Sequence, residues 1–215
     1  VRDELIHKLA QAQLYGIVDT LYLHGRSVDE VIQPMLAGGV DIVQLRAKHE
    51  SIEEIAEMAA QLLKYTKPSG VPLIINDYPE VAYHTGADGA HVGQDDISVA
   101  EVRRLLGPGK IVGKSTHSIE QVHGAVAEQP DYIGVGPIFP TLTKPDYSAV
   151  GLELIRQVAV SKLTLPFFCI GGIKHTNINQ VIEAGATRVV VVSGILEAPD
   201  IESMCRQLKS KLEQT

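Results

Sequence analysis

Apolar, β-branched runs alternate along this chain with stretches whose apolar positions recur at helical spacing. The runs fall at residues 14–18, 41–45, 73–75, 90–92, 111–114, 132–135, 167–170 and 188–192. Most are apolar throughout, which is the pattern of strands buried on both faces rather than on one. Between them, Ser27-x-x-Glu30, Ser51-x-x-Glu54, Ser98-x-x-Glu101 and Ser118-x-x-Gln121 each fit a capping box, where two side chains satisfy orphan amides at a helix start. Apolar residues then follow on one face, as in Ile55, Ala59, Leu62 and Leu63. Gly38-Gly39, Gly70, Gly86, Gly107 and Gly185 mark the helix ends. Residues 3–13 place Leu5, Ile6 and Leu9 on one face, so a short N-terminal helix covers one end of the core.

Strands alternating with helices, with no Pro/Ser-rich linker, predict a single (β/α)₈ TIM barrel over residues 1–215. No G-x-G-x-x-G follows the first run, which weighs against an open dinucleotide-binding sheet. A chain of 215 residues with 45% hydrophobic content can bury one sizeable core. The net charge of −7 excludes a nucleic-acid binder that relies on a basic surface. No apolar run is long enough to span a bilayer, and the start has no signal-peptide pattern. The two cysteines, Cys169 and Cys205, form no C-x-x-C motif, so reduced thiols and a cytoplasmic location are expected.

In such a barrel the site lies at the C-terminal rim, on the loops that follow the strands. Read in order, those loops carry Gln44, Arg46 and Lys48, then Asn76 and Asp77, Gln94 and Asp96, Ser115 and His117. A long loop, 136–144, holds Thr141, Thr143 and Lys144, and Gly171-Gly172 and Ser193-Gly194 end the series. Asp77 and Asp96 on neighbouring strand ends resemble a Mg²⁺ site, since that ion takes one or two carboxylates and bridges to phosphate. Each could instead begin a turn or precede a helix, as Asp commonly does. Arg46 and Lys48 alternate along a strand end, so both could project towards the mouth and hold phosphate oxygens. Taken singly, they could also be solvated surface cations. The two glycine turns fit a second anion site, which barrels of this type build after strands 7 and 8. Pro137, Pro140 and Pro145 stiffen the long loop, which suits a polar flap over substrate.

Gln44-Leu45-Arg46-Ala47-Lys48, Asn76-Asp77, the stretch from Asp88 to Asp96, the stretch from Gly134 to Lys144, and Gly171-Gly172-Ile173 together resemble thiamin phosphate synthase. The resemblance runs in order from Leu14 to about Ile195. It implies an alkyl transferase of thiamin biosynthesis. Such an enzyme joins an aminopyrimidine methyl diphosphate to a thiazole phosphate, releasing pyrophosphate with the help of Mg²⁺. By the same resemblance Arg46, Lys48, Asn76 and Lys144 would hold the diphosphate, and Asp77 and Asp96 the metal. Gln44 and Ser115 would face the pyrimidine and the departing group, with Thr141 and Thr143 bordering the diphosphate and the thiazole. Gly172 and Ser193, with Val192 beside them, would seat the thiazole phosphate. Lys144, Arg46, Lys48 and Ser115 would be the catalytic groups. Lys114 is given no role, and His117, near the rim, is expected to have an orienting role beside Ser115 rather than to act as a general base. The implied partners are these two small molecules, with no nucleic acid and no membrane; a homo-oligomer is left open. Two alternatives stand beside this reading. One is a metal-free thiazole tautomerase of the same family, and the other is a silent barrel that senses thiazole phosphate.

Overall fold

In the computed structural model, which describes residues 2–141, 143, 148–161 and 163–214, the apolar runs are eight parallel strands. These are β1 (Leu14–Asp19), β2 (Ile42–Arg46), β3 (Leu73–Asn76), β4 (Gly89–Val92), β5 (Ile111–Thr116), β6 (Tyr132–Val135), β7 (Phe167–Cys169) and β8 (Val189–Val191). Each pairs with the next and β8 returns to β1, so the sheet closes into a barrel with no free edge. The described helices are α1 (Arg2–Gln11), α2 (Val28–Ala37), α3 (Ile52–Ser69), α4 (Pro79–Thr85), α5 (Val99–Leu106), α6 (Ile119–Glu128), α7 (Gly151–Val160), α8 (Ile178–Glu183), α9 (Ser193–Leu196) and α10 (Ile201–Glu213). No described helix is long and apolar enough to cross a membrane.

The capping signals mostly close as predicted. Ser27, Ser51 and Ser98 each accept from the amide three residues on, and Glu30, Glu54 and Glu101 reach back to the cap amides. Ser118 departs from the set. Its side chain caps Gln121 N at 3.2 Å, but Gln121 Oε1 accepts from His117 N at 2.7 Å instead of from the cap amide. The cause is local, because Ser118 is nearly fully extended at φ −152° while the other three serines lie between φ −74° and −65°. Strand limits also move by a residue or two. Asp41 falls just before β2, where its carboxylate accepts from the amides of Gln13 and Leu14 and from Lys209.

Alternation along the strands divides the core into two shells. Leu45, Ile75 and Val112 are fully buried or nearly so. Tyr15, Tyr132 and Phe168 fill the barrel itself, with ring centroids 5.5 to 5.9 Å apart. Gly113 makes this filling possible. A Cβ there would lie 2.2 Å from Tyr132 Cζ and 2.4 Å from His91 Nδ1, so only glycine leaves room for both rings.

The bottom of the barrel is closed by charge. Asp131 accepts from Arg2 at 2.7 Å, from Arg103 at 3.0 Å and from the Val112 amide at 2.8 Å, tying α1 and α5 to the start of β5. Its carboxylate is almost entirely buried, whereas both arginines keep contact with water, so removing it leaves chiefly the Val112 amide without its partner. Asp131→Ala should therefore cost about 1–3 kcal/mol. Glu202→Ala breaks only an exposed pair with Arg206 and should cost less than about 1 kcal/mol. Urea unfolding midpoints of the two variants test this, and equal shifts would show that Asp131 does not hold the base.

Candidate active site

A cavity opens at the C-terminal rim, with a volume of about 870 Å³ when the solvent in its open mouth is included. The strand ends place its lining. Gln44 and Arg46 project inward from β2 two residues apart, Asn76 ends β3, and Ser115 comes from β5. Thr141 and Thr143 reach it from the loop after β6, Gly171 and Gly172 follow β7, and Val192 and Ser193 follow β8. Lys144, with residues 145–147, lies outside the described residues.

Arg46 is fixed by a neighbour that sequence reasoning passed over. Asp19 pairs with it in register across β1 and β2, and its Oδ2 accepts from Arg46 Nη1 at 2.7 Å. Both are buried, with Asp19 at 1% exposure and Arg46 at 9%. Asp19 Oδ1 also accepts from Leu21 N at 3.1 Å, starting a single 3₁₀ turn at Thr20–Tyr22. Arg46 Nη2 donates to Thr143 O at 3.2 Å, and Tyr22 and Thr143 share a hydroxyl bond of 3.0 Å. Arg46 Nε is buried without a partner among the described residues. A signal for Asp19 was present in the sequence: an acidic residue closing an apolar strand, in step with Tyr15 and Ile17.

Lys48 behaves differently from Arg46. β2 ends at Arg46, and Lys48 lies beyond it on the rim, outside the cavity lining, paired with Asp77. Asp77 adopts left-handed backbone geometry at φ 63°, which Asp tolerates better than most residues. Burial raises the Asp77 carboxyl above the usual carboxylate range; Lys48 draws it down and the nearby Asp96 pushes it up again. Asp96 accepts from Gly93 N at 2.6 Å. The two acids predicted on adjacent strand ends are thus neighbours. Among the described residues, no group of three or more His, Cys, Asp or Glu forms a ready metal cage.

Polar groups also cross the floor of the cavity. Gln44 Nε2 donates to Tyr15 OH at 2.8 Å, and Tyr15 OH meets Tyr132 OH at 2.9 Å. Tyr132 OH meets His91 Nδ1 at 3.0 Å, and His91 Nε2 meets Ser115 Oγ at 2.9 Å. The imidazole beside Ser115 is therefore that of His91. His117, expected there, has its Nδ1 on Gly136 O at 2.5 Å. Lys114 points away from the cavity, towards Glu128 at 3.7 Å.

The glycine pair after β7 has a steric cause. Gly171 and Gly172 have φ of 101° and 63°, and a Cβ on either would strike the loop after β6, at Pro137 Cα (2.4 Å) or Pro140 O (2.7 Å). Substitution at Gly172 would disturb this contact whatever ligand lies near it.

The sequence profile described as thiamine monophosphate synthase matches residues 14–195. A thiamine-phosphate synthase of Shouchella clausii is 44% identical over 203 residues, covering 94% of this chain and 97% of that protein. Another from Chloroflexus aurantiacus is 42% identical and covers 94% of each chain. Among solved structures, thiamine phosphate pyrophosphorylase from Pyrococcus furiosus superposes with a TM-score of 0.86 at 28% identity, over 98% of both chains. These matches favour neither the tautomerase nor the silent sensor. A profile that spans nearly the whole barrel, with relatives matched along nearly their full length, makes the chain a member of the thiamine monophosphate synthase family and a transferase of thiamin phosphate synthesis.

Proposed function

We propose that the rim cavity joins an aminopyrimidine methyl diphosphate to a thiazole phosphate, releasing pyrophosphate. The observation that carries this reading is the meeting of Arg46, Asn76, Thr141, Thr143 and Ser193 around one cavity, with Lys48, Asp77 and Asp96 at its edge. Arg46, Lys48, Asn76 and Lys144 would hold the diphosphate, with Thr141 and Thr143 between it and the thiazole. Gly172, Val192 and Ser193 would seat the thiazole phosphate, and Gln44 and Ser115 the pyrimidine ring. We place the reaction in one barrel domain over residues 1–215, in the cytoplasm, where the two free buried cysteines suit a reducing milieu.

Asp77 and Asp96 would hold Mg²⁺. They supply hard oxygen donors, and the burial that raises the Asp77 carboxyl, with a smaller push from Asp96, disfavours its charged form in a way a divalent cation would relieve. When bound with diphosphate, Mg²⁺ offsets negative charge on the phosphate oxygens. Lys48, paired with Asp77 in the free enzyme, would then turn to a phosphate oxygen.

The chemistry needs no general base. The bond between the pyrimidine methylene carbon and the diphosphate oxygen breaks, and its electron pair leaves with pyrophosphate. The amino group of the ring feeds electrons towards the developing cation. The lone pair of the thiazole nitrogen then forms the new C–N bond, giving a thiazolium with no proton to remove. The protein's contribution is positioning, and cationic donors aimed where charge accumulates. Arg46 is suited to this because Asp19 holds its guanidinium before substrate arrives. Exclusion of water by the rim loops would protect the cation from hydrolysis.

Three outcomes follow. Lys144→Ala should lower kcat by an amount worth about 2–4 kcal/mol of transition-state stabilisation, with little change in KM for thiazole phosphate. An unchanged kcat in steady-state assays of pyrophosphate release would remove Lys144 from the site.

Ser193→Ala should raise KM for thiazole phosphate by about tenfold, the worth of one hydrogen bond to a charged group. KM for the diphosphate should stay within about twofold of wild type, a change below 0.5 kcal/mol. Equal rises in both constants would place the thiazole phosphate elsewhere. This substitution is preferable to one at Gly172, where the loop contact intervenes.

Mg²⁺ should bind weakly to the free enzyme and much more tightly once pyrophosphate supplies further oxygens, because two carboxylates plus water make a poor octahedral cage. Asp77→Asn and Asp96→Asn should each abolish that enhancement while leaving the far-ultraviolet circular dichroism unchanged. Calorimetric titration with and without pyrophosphate decides the matter. Equal affinity in both titrations, or full activity in EDTA, would sink the metal assignment.

A further inference from the structure

The hydrogen bonds across the cavity floor link five side chains in series: Gln44, Tyr15, Tyr132, His91, Ser115. Four of its members are nine-tenths buried or more, and both ends line the cavity. Each phenol has a single proton to give, and burial raises both phenols so that neither ionises. With Gln44 donating, one direction uses every buried proton in the chain. Gln44 Nε2 donates to Tyr15, leaving the Tyr15 proton for Tyr132 and the Tyr132 proton for His91 Nδ1. In the neutral imidazole the remaining proton then sits on Nε2 and is donated to Ser115 Oγ. Ser115 keeps its own proton for the cavity. At the other end, Gln44 Oε1 has no protein partner among the described residues, on a side chain that lines the cavity.

We propose that Tyr15, Tyr132 and His91 are positioning residues that fix the polarity of this chain, so that the cavity offers an acceptor at Gln44 and a donor at Ser115. That pair complements a ring bearing an amino group beside an unprotonated ring nitrogen. It opposes the corresponding oxo ring, whose carbonyl and ring N–H present the reverse pattern. Reversing one end favours reversing every link, because a reversal part-way would make one phenol accept twice and leave its own buried proton without an acceptor. Selectivity for the amino ring thus resides in residues below those that touch it. The selectivity rests on the pyrimidine placement proposed above, whereas the direction of the chain in the empty enzyme does not.

The experiment has two arms. In the first, ¹⁵N NMR of histidine-labelled, unliganded enzyme reads the His91 tautomer, with the resonance assigned by its loss in His91→Asn. The proton should be found on Nε2. A proton on Nδ1, or on both nitrogens, would overturn the direction.

In the second arm, wild type, Tyr15→Phe and Tyr132→Phe are compared on the aminopyrimidine diphosphate and its oxo analogue. Each phenylalanine keeps the ring packing and removes one link. Preference for the amino ring, as a ratio of kcat/KM, should fall by about tenfold or more in either variant. KM for thiazole phosphate should stay within about twofold, a change worth less than 0.5 kcal/mol. The double variant should be no worse than either single one, as one linked unit requires. An unchanged preference, or equal losses on both rings together with a lowered Tm, would refute a positioning role. Gln44→Ala separates the two ideas. An unchanged KM for the diphosphate substrate there would remove the pyrimidine from this end of the cavity and overturn the selectivity, while the His91 tautomer would still report the chain's direction.

Discussion

A closed parallel barrel must fill its own interior, and here that constraint shapes the site. The strands supply few inward positions per layer, so large side chains are needed, and Tyr15, Tyr132 and Phe168 occupy the middle. Two of these rings bring hydroxyls into a place without bulk water. A buried hydroxyl left without a partner costs about 1–3 kcal/mol, so each must be satisfied within the barrel. Gln44 and His91 meet that need, and both lie at the level where the floor becomes the cavity. Core packing and site polarity are consequently one problem. The phenols could not be exchanged for leucines without depriving Gln44 Nε2 and His91 Nδ1 of these partners, and Gly113 must stay bare to admit the rings.

The charges at the rim are arranged on two levels. Below, Arg46 and Asp19 form a buried pair whose geometry is set by strand register, so that cation is held in place before any ligand arrives. Above, Lys48 and Asp77 are paired where water still reaches them, with Asp96 adding repulsion. Removing one partner from the lower pair would cost about 3–5 kcal/mol, whereas exposed pairs are worth about 1 kcal/mol or less. The lower pair is thus suited to fixed positioning and the upper one to exchanging partners. An anion entering the mouth would meet one cation already aimed and another that can be released cheaply.

Much of this was legible in the sequence, because the barrel obeys periodicity. Apolar runs, capping serines and helix-ending glycines read directly as elements, and strand ends then placed Gln44, Arg46, Asn76 and Ser115 on one rim. What stayed hidden depends on contacts between strands far apart in the chain. Asp19 closes the first apolar run and gains meaning only once register sets it against Arg46, and His91 is one polar residue within an apolar run. Tyr132 and Ser115 are its partners only because β4, β5 and β6 are neighbours. His117 shares the cavity side with Ser115, as alternation requires, but its ring nitrogen meets Gly136 O on the neighbouring strand's loop, and the imidazole that reaches Ser115 comes from β4.

The glycines after β7 show how one residue can meet a structural need and a functional one together. Their positive φ lets the backbone after β7 pass under the loop after β6. Ile138 N then bonds Ile170 O at 2.8 Å, and Phe139 N bonds Gly171 O at 3.0 Å. The far side of the same loop is held as well, with Val150 N on Pro137 O at 2.8 Å and Gly151 N on Ile138 O at 3.1 Å. The loop therefore leaves and rejoins the barrel at one bonded stem, set against the β7 turn. Any side chain the loop carries to the rim has its origin fixed relative to Gly172. A glycine pair that reads as a phosphate cradle is also what seats the loop opposite it, so the two halves of the rim cannot be altered independently.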